Sequence, residues 1–332
     1  MTRLVKLSLF SSLVALLFLF PLGCSSSDDT DKIRIAEVTR SIFYAPQYVA
    51  ISEGFFAEEG IEIDLTTTWG GDTTMTTLLA NGADIALVGS ETSIYVYAQD
   101  ANDPIINFGS LTQQDGTFLV SREEIDDFDW DMLKGSTFLG QRKGGMPQMV
   151  GEHVLKKHGI DPQADLNLIQ NIDFGNIPGA FASGTGEFVQ LFEPTATQFE
   201  KDGVGHIVAS FGVESGTVPY TTFMAKQSYI NNNQDLIERF TRALYKAQQW
   251  VQSSSTEEIA LSIQPFFNDT PIETIENVVD RYKSQGAYAP TPKLSEEAWE
   301  NLLNIMDQAG ELPMRVDYED LVNTEFAEKV IN

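Results

Sequence analysis

Short runs of β-branched and apolar residues alternate with segments of helical spacing in the first part of the chain. The runs IRIAEV, IEIDLTT and DIALV all lie between residues 32 and 97, and each ends in a loop of small and polar residues. This alternation is typical of βαβ units, in which helices join parallel strands. Ligands of open α/β sheets bind where strand ends meet the N-termini of helices. We therefore expect the loops after these strands to line a binding site.

A second α/β region follows an abrupt change in composition. The apolar run GTFLVS gives way to the acidic REEIDDFDWD at residues 122–131, and strand-like and helix-like segments then alternate again. The run VPYTTFMA, at residues 218–225, predicts that the chain returns to the first region before a mainly helical tail. This order predicts two doubly wound α/β lobes joined by two β crossovers, as in proteins that close about a hinge. Lobe 1 is predicted to comprise residues 32–118 and 222–332, and lobe 2 residues 119–221.

The N-terminus has the pattern of a targeting segment. Arg3 and Lys6 precede the apolar stretch Leu7 to Phe20, and the sequence Pro-Leu-Gly-Cys closes it at Cys24. This pattern resembles a bacterial lipoprotein signal, which implies a signal peptide over residues 1–23, a lipidated Cys24 and a flexible tether over residues 24–31. An ordinary cleaved signal and a membrane anchor are the alternatives, although the stretch is shorter than the roughly 20 residues that a spanning helix needs. We expect an extracytoplasmic protein, in the periplasm or on the outer face of the plasma membrane.

Composition excludes several classes of function. The chain has one cysteine, at position 24, so the mature protein has no disulfide framework, cysteine zinc site or thiol nucleophile. Its formal net charge is −27, and loss of the two leader cations makes it −29, which opposes binding to nucleic acid. The HExxH and GxSxG motifs are missing, and His153 and His158 are interpreted as part of a solvated helix face. We therefore expect no catalytic residues, metal or cofactor, and a monomer that binds a small molecule.

The stretches FYAPQYVA (43–50), TTTWGGDTT (66–74), VGSETS (88–93) and FEPTAT (192–197) resemble solute-binding proteins of bacterial ABC importers. The resemblance is to the group that binds nitrate, sulfonates, taurine and thiamine pyrimidines, and residues 43 to 98 carry most of it. It implies a type II periplasmic-binding-protein fold, closure of two lobes on a small-molecule ligand, and an ABC permease with its ATPase as partners.

Two loops of lobe 1 contain aromatic and glycine candidates for ligand binding. Tyr44 has a polar tip on an aromatic ring, whereas the neighbouring Phe43 is as well explained by core packing. Trp69 offers a flat stacking surface, and the alternative is that it packs between lobes. Gly70 and Gly71 let the backbone approach a ligand closely.

Polar candidates follow the third strand and occur in the facing lobe. Ser90, Glu91 and Thr92 begin a helix, where an acid can equally serve to compensate the helix dipole. Glu193 corresponds to the "WEP" region of the resembled family, although Glu-Pro is also an ordinary helix start. Further candidates are backbone groups in the glycine-containing loops of lobe 2 and an amide of lobe 1, namely Gly145, Met146, Asn176 and Gln113.

Two chemical classes of ligand fit the candidate residues, and of these a pyrimidine-type heterocycle is favoured over a sulfonate or nitrate. Trp69 and Tyr44, together with Glu91 and Glu193, favour a flat, amine-bearing molecule such as a pyrimidine. A sulfonate or nitrate would instead prefer helix N-termini and a basic residue such as Arg40 or Arg142.

Two other functions compete with that of a transport receptor. Thiamine-pyrimidine synthases share the fold but have a cysteine-rich stretch, where this chain has Tyr220-Thr221-Thr222-Phe223. The other alternative is a ligand-sensing partner of a membrane signalling protein.

Overall fold

The computed structural model describes residues 30–332. The predicted signal peptide, the lipidation site Cys24 and most of the predicted tether lie outside these residues. No helix within the described range is both long and apolar enough to cross a bilayer.

Within this range the chain forms ten strands. They are β1 (Asp31–Glu37), β2 (Ile61–Thr67), β3 (Ile85–Gly89), β4 (Ile105–Thr112), β5 (Thr117–Ser121), β6 (Thr137–Leu139), β7 (Asn167–Ile169), β8 (Phe188–Phe192), β9 (His206–Ser210) and β10 (Thr221–Lys226).

The helices of the described range are concentrated between the strands and in the C-terminal third. They are α1 (Ala45–Ser52), α2 (Phe55–Glu58), α3 (Gly71–Leu79), α4 (Glu91–Tyr97), α5 (Met146–Lys157), α6 (Ile177–Ala182), α7 (Thr195–Lys201), α8 (Phe211–Ser215), α9 (Gln227–Asn232), α10 (Gln234–Ser253), α11 (Thr256–Ile263), α12 (Ile272–Ser284), α13 (Glu296–Ala309), α14 (Tyr318–Leu321) and α15 (Glu325–Ile331). Short 3₁₀ helices lie at Ile42–Tyr44, Trp130–Leu133, Phe174–Asn176 and Gln264–Phe266.

The strands form two five-stranded sheets with matching topology. The first has the order β2-β1-β3-β10-β4 and the second the order β7-β6-β8-β5-β9. In each sheet the fourth strand runs antiparallel to both of its neighbours. Hydrophobic patterning explains the strand positions, because the central β3 is a continuous apolar run whereas the edge strand β2 alternates between buried or half-buried and exposed residues. Each antiparallel strand is the one by which the chain enters a sheet from the other sheet.

Two crossing segments join the sheets. Residues 113–116 connect β4 to β5, and residues 216–220 lead back to β10. The segments run side by side, because Val218 N–H donates to Gln113 O at 3.0 Å and Tyr220 N–H donates to Thr112 O at 3.2 Å. Strand ends from both sheets therefore meet beside this double connection.

The sheets show where the chain changes lobe more closely than the sequence does. β5 belongs to the second sheet from Thr117 onward, so residues 117 and 118 pair with that sheet and not with lobe 1, to which they were assigned. Thr221, which was predicted to be the last residue of lobe 2, pairs with Gly89 and Thr112 of the first sheet. The apolar pattern of GTFLVS does not reveal which sheet the strand joins, since both sheets have buried strands. β1 likewise begins at Asp31, one residue before the predicted lobe boundary.

The helical tail packs on the first sheet and also contacts the second. α10 is amphipathic, and its buried side chains Ile237, Phe240 and Leu244 recur at helical spacing. This helix covers α1 and α2, while α13 packs against α5. The tail thus extends the interface between the lobes beyond the two crossing segments.

Candidate functional site

A cavity of about 250 Å³ lies between the strand ends of the two sheets. Its walls come from the loops after β1, β2, β3, β6 and β7, from α4, from the end of β8 and from the second crossing segment with the start of β10. The lining residues are Val38, Thr39, Tyr44, Gly70, Gly71, Asp72, Val88, Gly89, Glu91, Thr92, Tyr95, Gln141, Arg142, Lys143, Gly144, Gly145, Met146, Pro147, Phe174, Phe192, Tyr220 and Thr221. The size suits a small organic molecule rather than a polymer.

Glu91 is the acidic group buried in the cavity wall. It is the first residue of α4, directly after β3, and its exposed fraction is 3%. One carboxylate oxygen, Oε1, accepts a hydrogen bond of 3.2 Å from the Met146 N–H of the opposite lobe. The other, Oε2, has no hydrogen-bond partner in residues 30–332. Burial raises the pKa of this carboxyl to about 8, since the charged form is poorly solvated there.

Three tyrosines, together with Phe174 and Phe192, provide the aromatic part of the wall. Tyr44 follows β1, Tyr95 lies one turn after Glu91 on α4, and Tyr220 ends the second crossing segment. Burial is the main cause that raises the pKa of each hydroxyl, so all three remain neutral donors and acceptors at physiological pH. The rings offer flat apolar surface with polar tips, which suits an aromatic ligand.

Phe43 supports this wall from behind. Its ring is buried and packs edge-on against Tyr220, with 5.6 Å between the ring centroids. A Cβ atom at Gly116 would lie 2.8 Å from the same ring, so the first crossing segment needs a glycine here to pass so close. Of the two alternatives for Phe43, the structure therefore favours core packing.

Basic groups lie at the mouth of the cavity rather than inside it. Arg142 of the second lobe pairs with Asp72 of the first at 2.8 Å, and both side chains are about half exposed. The hydrogen bond from Arg142 lowers the pKa of Asp72. Lys143, beside it, is exposed. The electrostatic pattern is an acid within and cations at the rim.

The structure brings together seven of the predicted ligand-binding residues around this cavity. Lobe 1 contributes five of them and lobe 2 the other two. They are Tyr44, Gly70, Gly71, Glu91, Thr92, Gly145 and Met146.

Two candidates have their side chains committed to other parts of the fold. The Ser90 hydroxyl donates to the carbonyl of Pro219 and so ties α4 to the second crossing segment. The Gln113 amide donates to Gly286 O at 3.0 Å, in the loop after α12. Neither residue is among those that line the cavity.

Trp69 and Asn176 are exposed and are not among the residues that line the cavity. The Trp69 side chain is on the surface, with 60% of the residue exposed, and its backbone has the left-handed φ of 58° that bulky residues rarely adopt. Asn176 is exposed at the end of its 3₁₀ helix, whereas Phe174 at the start of that helix lines the cavity.

Glu193 forms an ion pair between the lobes. Its side chain is fully buried, and Arg281 of α12 donates to its Oε1 at 2.6 Å. The N–H and hydroxyl of Thr197 donate to the same carboxylate at 2.8 and 2.9 Å. Ser41 also donates to the Glu193 carbonyl oxygen at 2.9 Å. All of these partners are protein groups, and the residue is not part of the cavity lining.

A buried acid that sequence reasoning missed, Glu37, organises the loop that presents Tyr44. Its carboxylate accepts hydrogen bonds of 2.8–2.9 Å from the side chains of Arg40, Gln47, Tyr48 and Thr67. These bonds commit Arg40, a candidate partner for an anionic ligand, to the protein itself. The sequence feature that could have identified Glu37 is an acidic residue at the end of a strand predicted to be buried.

Tyr95 and Tyr220 were also missed as wall residues. The spacing of four residues between Glu91 and Tyr95 places them on one helix face, which is a usable signal. For Tyr220 the sequence indicates only a crossing segment. No cluster of His, Cys, Asp and Glu suited to a metal occurs in residues 30–332.

The chain matches the sequence model of the NMT1-like family over residues 31–264. It is 62% identical over 331 residues to the putative binding protein YtlA of Bacillus subtilis (strain 168), covering 99% of each chain. It is 23% identical over 334 residues to the formylaminopyrimidine-binding protein of Halalkalibacterium halodurans, covering 94% of this chain and 96% of that relative.

Two further comparisons concern an enzyme and the fold. The chain is 24% identical over 255 residues to 4-amino-5-hydroxymethyl-2-methylpyrimidine phosphate synthase of Aspergillus parasiticus, covering 73% of this chain and 72% of the enzyme. The periplasmic nitrate-binding protein NrtA from Synechocystis PCC 6803 is similar with a TM-score of 0.72 and 17% identity, covering 91% of this chain and 88% of that one. This likeness confirms the predicted periplasmic-binding-protein fold with two α/β sheets and a helical C-terminal region.

Proposed function

The chain belongs to the NMT1-like family and is a solute-binding protein of the ABC-transporter type, and we propose that it captures a flat, amine-bearing heterocycle of the pyrimidine class. In this proposal the protein is held at the outer side of a membrane through Cys24 and delivers its ligand to an ABC permease driven by an ATPase. It acts as a monomer and without a cofactor.

The observation that carries the proposal is the inversion of charge between the inside and the mouth of the cavity. A buried carboxylate, Glu91, and three tyrosines surround the ligand space, while Arg142 lies at the rim and is paired with Asp72. A sulfonate or nitrate placed inside would meet Glu91, which repels an anion when it is ionised, whereas the cations of the lining, Arg142 and Lys143, lie at the mouth. A heterocycle can stack on the rings and donate N–H groups to the acid. The relative described as a formylaminopyrimidine-binding protein supports the same class.

Closure of the lobes is the proposed mechanism of capture. The cavity wall is made from both lobes, and Glu91 of lobe 1 already meets the Met146 N–H of lobe 2. A ligand that contacts both lobes binds the closed form better and shifts the population towards it. No covalent bond is made or broken, and release follows when the permease favours the open form.

A ligand screen by thermal shift and calorimetry tests this function. The full chain is titrated with 4-amino-2-methylpyrimidine, taurine and nitrate. We expect the aminopyrimidine to raise the melting temperature in a concentration-dependent way, since a ligand stabilises the state that it binds. Tighter binding of taurine or nitrate would refute the heterocycle assignment but leave a solute-binding role intact.

The enzyme from Aspergillus parasiticus supports a second candidate, an activity in thiamine-pyrimidine synthesis. Against it, the only cysteine of this chain is Cys24, the predicted lipidation site, and Tyr220 to Phe223 contain none. Incubation of the protein with candidate precursors, followed by mass spectrometry, separates the two functions. Formation of a pyrimidine product over repeated turnovers would show that the protein is an enzyme and would refute the receptor function.

A further inference from the structure

Three buried polar groups, two in the cavity wall and one beside it, lack enough hydrogen-bond donors among themselves. They are Glu91, Tyr220 and Asp115, each no more than 3% exposed. Within residues 30–332, the Glu91 Oε2, the Tyr220 hydroxyl and the Asp115 Oδ2 have no hydrogen-bond partner. Buried polar atoms are nearly always paired, so unpaired ones at a cavity indicate where a ligand bonds.

Strand register explains why these groups come together. Gly89, the last residue of β3, pairs with Thr221, the first residue of β10. Glu91 follows Gly89 by two residues and Tyr220 precedes Thr221 by one, so both lie beyond the same end of the ladder. Asp115 comes from the first crossing segment, which is hydrogen-bonded to the second. Burial is the main cause that raises the pKa of Tyr220, and the Asp115 and Glu91 charges raise it further, as expected for close neighbours.

A count of donors and acceptors gives the ligand chemistry. Asp115 Oδ1 already accepts from the Thr117 N–H at 2.6 Å and from the Thr117 hydroxyl, and Glu91 Oε1 accepts from the Met146 N–H. An amino or ammonium group beside Glu91 favours the ionised carboxylate. With both acids then ionised, the remaining two carboxylate oxygens and the tyrosine oxygen share a single hydrogen, that of Tyr220. If this hydrogen serves Asp115, the Glu91 Oε2 and the tyrosine lone pairs, on two residues of the cavity lining, are left as acceptors without a donor.

We propose that this part of the cavity wall recognises an N–H donor group of the ligand, an amino or ammonium group that bonds to Glu91 Oε2 and Tyr220 Oη. This assignment rests on the proposed receptor function and specifies which edge of the ligand enters first. The cations at the mouth, Arg142 and Lys143, then face the opposite end of the molecule. Asp115 is not itself part of the cavity lining, and its proposed role is that of a positioning residue for the neighbouring Tyr220 hydroxyl.

A pair of isosteric probes tests the assignment. Calorimetry compares 4-amino-2-methylpyrimidine with 2,4-dimethylpyrimidine, which has the same shape but no N–H donor. We expect the amino compound to bind about 10- to 100-fold more tightly, the usual range for a hydrogen bond to a charged group. Equal affinities would overturn the assignment while leaving the receptor function in place.

Substitutions at Glu91 and Tyr220 test whether these two residues cause the preference for the amino compound. In Glu91→Gln and Tyr220→Phe the preference for the amino compound should fall to a few-fold or vanish, whereas affinity for the dimethyl compound should stay within a few-fold of the wild type. Glu152→Gln is the matched control, since Glu152 is a buried acid that bonds to Gln148 and Gln170 and not to the cavity. A full preference in Glu91→Gln would also overturn the assignment.

Identification of the natural ligand tests the N–H donor assignment separately from the receptor function. Full-length protein isolated from cells is denatured, and the released small molecule is identified by mass spectrometry. A molecule that bears an amino or ammonium group supports the assignment. A bound molecule without any N–H group overturns it but not the receptor function. Turnover instead of stoichiometric release overturns both.

Discussion

At the scale of single residues, the position of Glu91 depends on the glycine two places before it. A Cβ atom added to Gly89 would lie 2.1 Å from Glu91 Oε2 and 2.7 Å from two other atoms of the same carboxyl group. The carboxyl therefore folds back over β3 into space that any other residue at 89 would fill. A glycine is needed at position 89 for this close approach and not for an unusual backbone conformation, because the φ of Gly89 is not in the left-handed region.

We expect Gly89→Ala to lower ligand affinity about tenfold or more, because the new methyl group displaces the carboxyl that accepts the ligand hydrogen bond. Calorimetry with 4-amino-2-methylpyrimidine measures the loss. The same substitution in a Glu91→Ala background should have little further effect, since the displaced group is already gone. Additive losses in the double variant would contradict the positioning role of Gly89.

The raised pKa of Glu91 predicts how stability depends on pH. Burial lifts this pKa from its ordinary value of 4.5 to about 8, so between these values the folded protein holds a proton that the unfolded chain has lost. Stability of the ligand-free protein should therefore fall as pH rises, by at most about 1.4 kcal/mol per pH unit from this group. Urea unfolding of the wild type and Glu91→Gln between pH 5 and 8 isolates the effect. A constant difference between the two proteins across this range would argue against it.

At the scale of elements, the loop after β6 closes the mouth of the cavity by reaching the start of α3. The Arg142–Asp72 ion pair joins the two lobes, and its side chains are 47% and 62% exposed. A pair this exposed contributes no more than about 1 kcal/mol to stability. Its effect should instead appear in how long the closed form lasts.

We expect Arg142→Gln to speed ligand dissociation a few-fold while leaving thermal stability almost unchanged. Stopped-flow measurements at low and high salt provide the test, because salt screens exposed charges. Dissociation from the wild type should become faster in salt, and dissociation from the variant should not. Arg315→Gln is the control, since Arg315 pairs with Glu300 at an exposed site outside the cavity lining. Identical salt responses of the wild type and Arg142→Gln would rule out a role in closure.

Trp69 lies in the loop between β2 and α3 and remains a predicted ligand-binding residue, and its contribution to affinity can be measured. If its indole stacks on the ligand, Trp69→Ala should weaken binding by about 1–3 kcal/mol. Its exposed position beside the lining residue Gly70 leads us to expect a smaller loss than for Tyr95→Ala, within the cavity wall. Calorimetry on both variants decides the order, and a larger loss for Trp69→Ala would restore stacking on the indole as the main aromatic contact.

At the scale of the whole molecule, the lobes are tied together behind the cavity by the helical tail. Arg281 and Tyr282 of α12 both reach the second lobe at Glu193, whose N–H donates to the Tyr282 hydroxyl at 3.3 Å. The Tyr282 hydroxyl in turn donates to Gly116 O, in the first crossing segment, at 2.7 Å. One helix thus contacts both the hinge and lobe 2, so its ion pair bears on the equilibrium between open and closed forms.

We expect Arg281→Gln to lower the free energy of unfolding by about 1–3 kcal/mol, because the fully buried Glu193 loses its cation but keeps the bonds from Thr197. Urea unfolding measures this loss. Small-angle scattering should also show a larger radius of gyration without ligand. Arg242→Gln serves as control, since Arg242 forms exposed pairs with Glu59 and Glu238. An unchanged radius would place the ion pair outside the closure mechanism.

The sequence by itself determined the order of strands and helices, because alternation of apolar residues and the loops at strand ends are local properties. It also selected Tyr44, Glu91 and Met146 for the cavity, since residues after parallel strands must gather at one edge of a sheet. The N-terminal pattern, with Cys24, likewise depends on local sequence alone.

Tertiary structure decided which of these residues face the ligand and which face protein. Glu91 and Glu193 are both acids at helix starts in the sequence, yet Glu193 meets Arg281, 88 residues away, and Glu91 keeps an unpaired oxygen. Trp69 is exposed outside the wall, at a left-handed backbone position, whereas the register of β3 with β10 brings Tyr220 near Glu91 in the wall. Pairing partners of buried charges depend on contacts between distant segments, and no local pattern encodes them.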